Sequence, residues 1–245
     1  MATQIEIPSI DPAAPPAVRG ILRELAAFLK RPAVLAPWGL RRREAWSALG
    51  VLAALHVAVL LVVLLPLLGL WQKQFALPMP DAFGKLPGGW LLPITVIIAP
   101  ALEETIFRGW QTGRPRALWL LGGFVLFAVL TVSSKAIAPL VLAGLLLAIV
   151  LFTALGWWRL RRRSTAPAVY AASYPGVFWA VALLFAGVHL MNYPSISAAS
   201  LPMVLPQLWA GLMLGFTRQR IGLPAAMLQH AAANAASMAL VLAGS

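Results

Sequence analysis

Glu103, Glu104 and Arg108 stand together in "IIAPALEETIFRGW", residues 97 to 110, where the surrounding sequence is apolar. An ionisable group at the centre of a membrane helix costs roughly 2.5 to 3.5 kcal/mol on insertion scales, so three of them need a use. On a helix, Glu104 and Arg108 are four apart with the acid first, the favourable order for an ion pair. Glu103 points about 100° away, toward the face of Phe107, so one acid is neutralised and the other stays free. His189 follows Phe185 by four in "FAGVH", and His230 precedes Asn234 by four in "HAAAN", which puts imidazole and amide on one helix face. A carboxylate, two imidazoles and an amide at one depth supply a general base, a partner for it and two donors for a developing oxyanion. The same residues also read as a polar clamp between helices, with the histidines as structural hydrogen-bonding groups. His56, with no polar neighbour in its segment, is read as structural.

The elements that must hold these side chains are membrane helices. Of 245 residues, 61% are hydrophobic and 11% charged, and the mean hydropathy is +0.85, a composition of an integral membrane protein rather than of a soluble core. Seven apolar segments follow one another, at 46–70, 90–112, 117–132, 136–158, 174–191, 201–217 and 222–243. The fold class expected is therefore all-α, a polytopic integral membrane protein with about seven transmembrane helices. Residues 18–30, "VRGILRELAAFLK", place Val18, Ile21, Leu22, Leu25, Phe28 and Leu29 at helical spacing. That pattern predicts an amphipathic helix at the membrane interface, and a helix packed on the protein itself fits it equally. The first 17 residues carry acids and prolines without an early apolar run, which predicts a disordered cytoplasmic tail and no signal peptide. Residues 1–45 are thus read as tail and interfacial helix, and 46–245 as one transmembrane domain.

The net charge of +12 is distributed by loop. Arg41–Arg43, Arg114 with Arg116, Arg159 with Arg161–Arg163, and Arg218 with Arg220 fall at every second loop, while the opposite loops hold Lys73, Lys85 and Lys135. By the positive-inside rule the N-terminus is cytoplasmic and the C-terminus outside, and the basic runs are topological anchors rather than nucleic-acid sites. The lipid bilayer is the expected partner, with no nucleic acid. Counting about 1.5 Å per residue puts Glu103 and His230 about 15 to 17 Å from the cytoplasmic edge, and His189 about 21 Å from it if its helix starts at Pro175.

"EETIFR", "FAGVH" and "HAAAN", complete and in order in three separate segments, resemble the motifs of the CAAX-protease and bacteriocin-processing (CPBP) family of intramembrane endopeptidases. The resemblance covers residues 90–243. It implies hydrolysis of a peptide bond in a membrane-associated protein or peptide, with Glu103 activating water helped by His189, and with His230 and Asn234 stabilising the oxyanion. Glu104, Arg108 and Phe185 are supporting residues by the same carry-over. No cofactor is implied; the alternative is a zinc ion held by Glu103, His189 and His230, an acceptable catalytic ligand set. Prenylated tails, bacteriocin precursors and C-terminal sorting anchors are all substrates within the family, and the sequence does not choose among them.

Other chemistries lack their residues. The chain has no cysteine, no G-x-S and no H-E-x-x-H, and its two aspartates, Asp11 and Asp81, lie outside the apolar segments. Two non-proteolytic readings keep the polar cluster: a scaffold or immunity-type protein that binds a partner through it, and a proton-coupled transporter. The Ala- and Leu-rich composition with Arg preferred over Lys points to a bacterial inner membrane.

Overall fold

The computed structural model describes residues 18–81 and 88–243, so the N-terminal tail and Lys85 lie outside the described residues. All regular structure among them is helical. Helix α1 is Val18–Lys30, α2 Arg43–Gln74 and α3 Gly89–Arg108. Then come α4 Pro115–Val132, α5 Pro139–Leu160, α6 Ala168–Val188, α7 Leu205–Arg220 and α8 Leu223–Ala243. Among the described residues six helices are long and apolar enough to cross a membrane: α2 to α5, α6 with its 3₁₀ extension to Asn192, and α7 with the 3₁₀ turns before it. Helix α8, the seventh expected segment, is 21 residues long, about 31 Å at 1.5 Å per residue. The protein is an integral membrane protein.

The apolar stripe of α1 is covered by protein. Ile21, Leu25 and Phe28 are buried in one core with Phe178, Met213, Phe216 and Ile221, and the Phe28 ring meets Phe178 edge-on at 5.1 Å. Of the two readings open for this helix, its apolar face follows the second. Its polar side is tied down as well, because Glu24 Oε1 lies 2.9 Å from Arg220 Nε at the end of α7. Burial holds the Glu24 carboxyl above the usual carboxylate range, against the opposing pull of Arg220.

Two helices are widened into π turns, each directly before a proline. Val59–Leu64 in α2 precedes Pro66, and Pro93–Ile98 in α3 precedes Pro100. Proline removes a donor and clashes with the carbonyl four residues back, so the preceding turn opens. In α3 the Ala99 N–H bonds to Ile94 O. The Thr95 carbonyl therefore loses its ordinary donor, and Pro100 has no N–H to replace it.

Helix α8 is packed among α2, α3 and α7, and α6 lies along α7. Small residues set the second contact: a Cβ on Gly211 would come 3.2 Å from Ala182 Cα, and one on Gly215 2.6 Å from the Phe178 ring. Close approach of this kind is how apolar helices associate where lipid competes for the same surfaces. Gly211→Val is expected to destabilise the folded protein by about 1–3 kcal/mol, because backbone rather than a movable side chain blocks the new methyls. A melting temperature in detergent equal to that of the native protein would contradict this contact. Helices α4 and α5 differ from the rest. They bury no residue and pack on one another, with Gly123 against Thr153 and Gly156 against Trp119, and with Trp119 Nε1 donating to Thr153 O at 3.0 Å.

Candidate active site

The polar cluster assembles from α3, the end of α6 and α8. The last turn of α3 presents Glu104 inward, fully buried at 0% exposure, while Glu103 one position earlier is 29% exposed. This is the division expected from 100° per residue: the buried acid forms an ion pair with Arg108, itself buried. The Arg108 guanidinium also lies 4.3 Å from the centroid of the Phe185 ring, a cation–π contact that gains strength away from water. Arg108 Nε and Nη2 and Glu104 Oε2 have no protein hydrogen-bond partner among the described residues.

Each histidine is oriented through its Nδ1. His189 Nδ1 is 2.6 Å from the Phe185 carbonyl; a carbonyl only accepts, so this ring donates from Nδ1 and turns its Nε2 outward. His230 Nδ1 is 2.9 Å from Glu104 Oε1, the same oxygen that pairs with Arg108, so this ring too donates from Nδ1. Both Nε2 atoms then face Glu103: Oε2 is 4.0 Å from His189 Nε2 and 3.8 Å from His230 Nε2. These gaps are too long for direct hydrogen bonds. Glu103 Oε2 thus has an imidazole Nε2 from each of two other helical segments within 4.0 Å. Among the described residues no group of three or more His, Cys, Asp and Glu side chains has an arrangement that could hold a metal ion.

Phe185 is the hub of the arrangement. Its carbonyl orients His189, its ring covers Arg108, and it meets Phe107 edge-on at 5.2 Å and His230 at 6.0 Å. Asn234, one turn beyond His230, donates from Nδ2 to the Thr95 carbonyl at 2.8 Å, the acceptor that the π turn and Pro100 left open. One amide hydrogen is thus engaged in holding α8 to α3.

The helix that carries His189 does not start at Pro175. Helix α6 begins at Ala168 and His189 stands one residue past its end, about 31 Å along it. The Tyr174 hydroxyl donates to Gln111 Oε1 at 3.2 Å, so the part of α6 level with the loop after α3 is Tyr174 and not the helix start. His56 is buried as a structural residue, with Gln229 Nε2 3.4 Å from its Nδ1; this partner comes from α8 and so is invisible in its own segment.

Residues that pattern reading passed over lie at the C-terminal end of α3. Arg218, read as a topological anchor, is buried and donates from Nε to the Arg108 carbonyl at 2.9 Å and from Nη2 to the Gly109 carbonyl at 3.3 Å. Gln219 Nε2 donates to Gln111 O at 2.8 Å and contacts the Tyr174 hydroxyl at 2.7 Å. A basic residue at the end of a span has two uses, and composition does not separate them.

The family model described as Type II CAAX prenyl endopeptidase Rce1-like matches residues 85–174. Over that stretch, which holds the first of the three motifs, the chain is similar to this CPBP-type family. The matched residues take in Glu103, Glu104 and Arg108 and end before Phe185, His189, His230 and Asn234. Similarity to this CPBP family implies a membrane endopeptidase with a peptide or protein substrate at the membrane. No curated protein and no solved structure matches the chain.

Proposed function

We propose that this chain is a glutamate-type intramembrane endopeptidase that hydrolyses a peptide bond of a membrane-associated protein or peptide. The observation that carries the reading is that Glu103 Oε2 lies within 4.0 Å of both His189 Nε2 and His230 Nε2. A water about 2.8 Å from each partner spans such a gap, donating to Glu103 Oε2 and to His189 Nε2. Glu103 takes a proton from this water as its oxygen attacks the scissile carbonyl carbon, and His189 orients the water. The carbonyl oxygen becomes an oxyanion. The donors that stabilise it are the second amide hydrogen of Asn234 and His230 as the imidazolium, which keeps its Nδ1–H on Glu104 Oε1 and donates from Nε2. Collapse breaks the C–N bond, and the proton held by Glu103 passes to the leaving amine. Glu104 and Arg108 do no proton transfer; they fix the His230 tautomer from below, and Phe185 does the same for His189.

The substrate class suggested by the matched family is a prenylated C-terminal tail. The basic loops support a cytoplasmic N-terminus and an outer C-terminus, and the Ala- and Leu-rich composition with Arg preferred over Lys supports a bacterial inner membrane. In reconstituted vesicles the protein is expected to cleave a fluorescence-quenched farnesylated peptide, and the rate is expected to be unchanged by a chelator. Loss of cleavage with the chelator and recovery with zinc would replace the metal-free mechanism by one in which Glu103, His189 and His230 are ligands. Absence of cleavage of this peptide, together with unaltered peptide binding, would favour the non-catalytic scaffold.

A further inference from the structure

The C-terminal end of α3 turns one face, that of Glu104 and Arg108, into the bundle, and each of its last carbonyls has a donor. Thr105 O accepts from Gly109 N at 3.1 Å, Ile106 O from Trp110 Nε1 at 3.0 Å and Phe107 O from Gln111 Nε2 at 3.1 Å. Arg108 O accepts from Arg218 Nε at 2.9 Å and from Gln111 N at 3.3 Å, and Gly109 O accepts from Arg218 Nη2. A buried helix end without such partners is unstable, and a cation there also faces the negative end of the helix dipole. Trp110 and Gln111 belong to the loop that follows α3. Arg218 comes from another helix, and it grips the carbonyl of Arg108 itself.

Arg218 is also rigidly connected to His230. Helices α7 and α8 meet at a tight turn in which Gly222 has φ +137°, a value that L side chains rarely adopt. Above the turn, Thr217 Oγ1 donates to Gln229 Oε1 at 2.6 Å. Thr217 precedes Arg218 and Gln229 precedes His230, so this bond locks the two functional side chains into one hairpin. The hairpin then clasps α3 at three levels: Arg218 at the Arg108 and Gly109 carbonyls, His230 at Glu104, and Asn234 at Thr95.

We propose that Arg218 is a positioning residue for the reaction: by fixing the end of α3 to the α7–α8 hairpin, it sets the register in which Glu104 holds the Nδ1–H tautomer of His230. The inference rests on the proteolytic reading for its kinetic part and stands apart from it for its structural part. Two readouts separate them. In the detergent-solubilised full chain labelled with ¹⁵N-histidine, His230 is expected to show the Nδ1–H tautomer, and Arg218→Met is expected to convert it to a mixture. With the farnesylated peptide as probe, Arg218→Met is expected to lower kcat on the order of 100-fold, the scale of a displacement of about 1 Å, with KM within about twofold. Arg218→Lys, which can reach one carbonyl but lacks the guanidinium fork, is expected to fall between the two in both readouts. If Arg218→Met does not fold, the lysine variant alone decides.

A lowered melting temperature with the His230 tautomer and kcat both as in the native protein would overturn the proposal and leave Arg218 as a plain structural residue. If the native protein does not cleave the probe, the proteolytic reading has failed. The tautomer of His230 in Arg218→Met then still reports whether Arg218 positions it.

Discussion

Glu103→Gln is expected to lower peptide cleavage by about 10²- to 10⁴-fold, the range that a positioned general base contributes, while leaving the melting temperature close to that of the native protein. Both halves follow from where the side chain stands. Glu103 is partly exposed and lies 3.8 and 4.0 Å from its two nearest partners, so no short ion pair depends on its charge. Glutamine preserves the shape and can accept a hydrogen bond, but it cannot take a proton from water at neutral pH. A rate assay paired with thermal unfolding distinguishes this from a clamp. A polar clamp would lose stability and keep whatever activity remains; a base would lose activity and keep its stability.

Arg108→Met is expected to do the reverse in the first instance. The guanidinium is buried, paired with a fully buried carboxylate and stacked on Phe185. Removing one partner of a buried pair costs about 3–5 kcal/mol, because the other charge is left uncompensated. Glu104 would then rely on His230 Nδ1 alone. The variant is expected to melt far below the native protein, or not to fold, and the combination Glu104→Gln with Arg108→Met is expected to recover part of the loss. A double-mutant cycle on thermal or denaturant unfolding measures this coupling. Additive effects of the two substitutions would mean that the ion pair is not a stabilising unit.

The contrast between these two neighbouring acids was legible in the sequence. A spacing of four pairs Glu104 with Arg108, and the 100° step sets Glu103 apart; both statements need only helix geometry. The same holds for the membrane class and for the positions of the apolar segments, with differences at their ends: α6 starts at Ala168 rather than near 174, and α7 at Leu205 after 3₁₀ turns that pattern reading merged with it.

What lay outside reach was every contact made across helices. Nothing near Arg218 in sequence distinguishes it from Arg220, yet one grips the end of α3 and the other pairs with Glu24. Thr95 reads as an ordinary polar residue until the π turn and Pro100 expose its carbonyl to Asn234. The covering of α1 could not be chosen from its own residues, because lipid and the Phe178–Phe216 surface ask for the same stripe.

The measurement that bears most directly on the proteolytic reading is quantitative mass spectrometry of protein termini in host membranes, comparing cells that carry the native chain with cells that carry Glu103→Gln at matched abundance. The expected result is a set of uncleaved membrane-associated precursors that accumulate only with Glu103→Gln, each missing the terminus that the native chain generates. Identical termini in both strains, with Glu103→Gln rescuing the effects of deletion, would show that the cluster of Glu103, His189 and His230 binds or clamps without cutting.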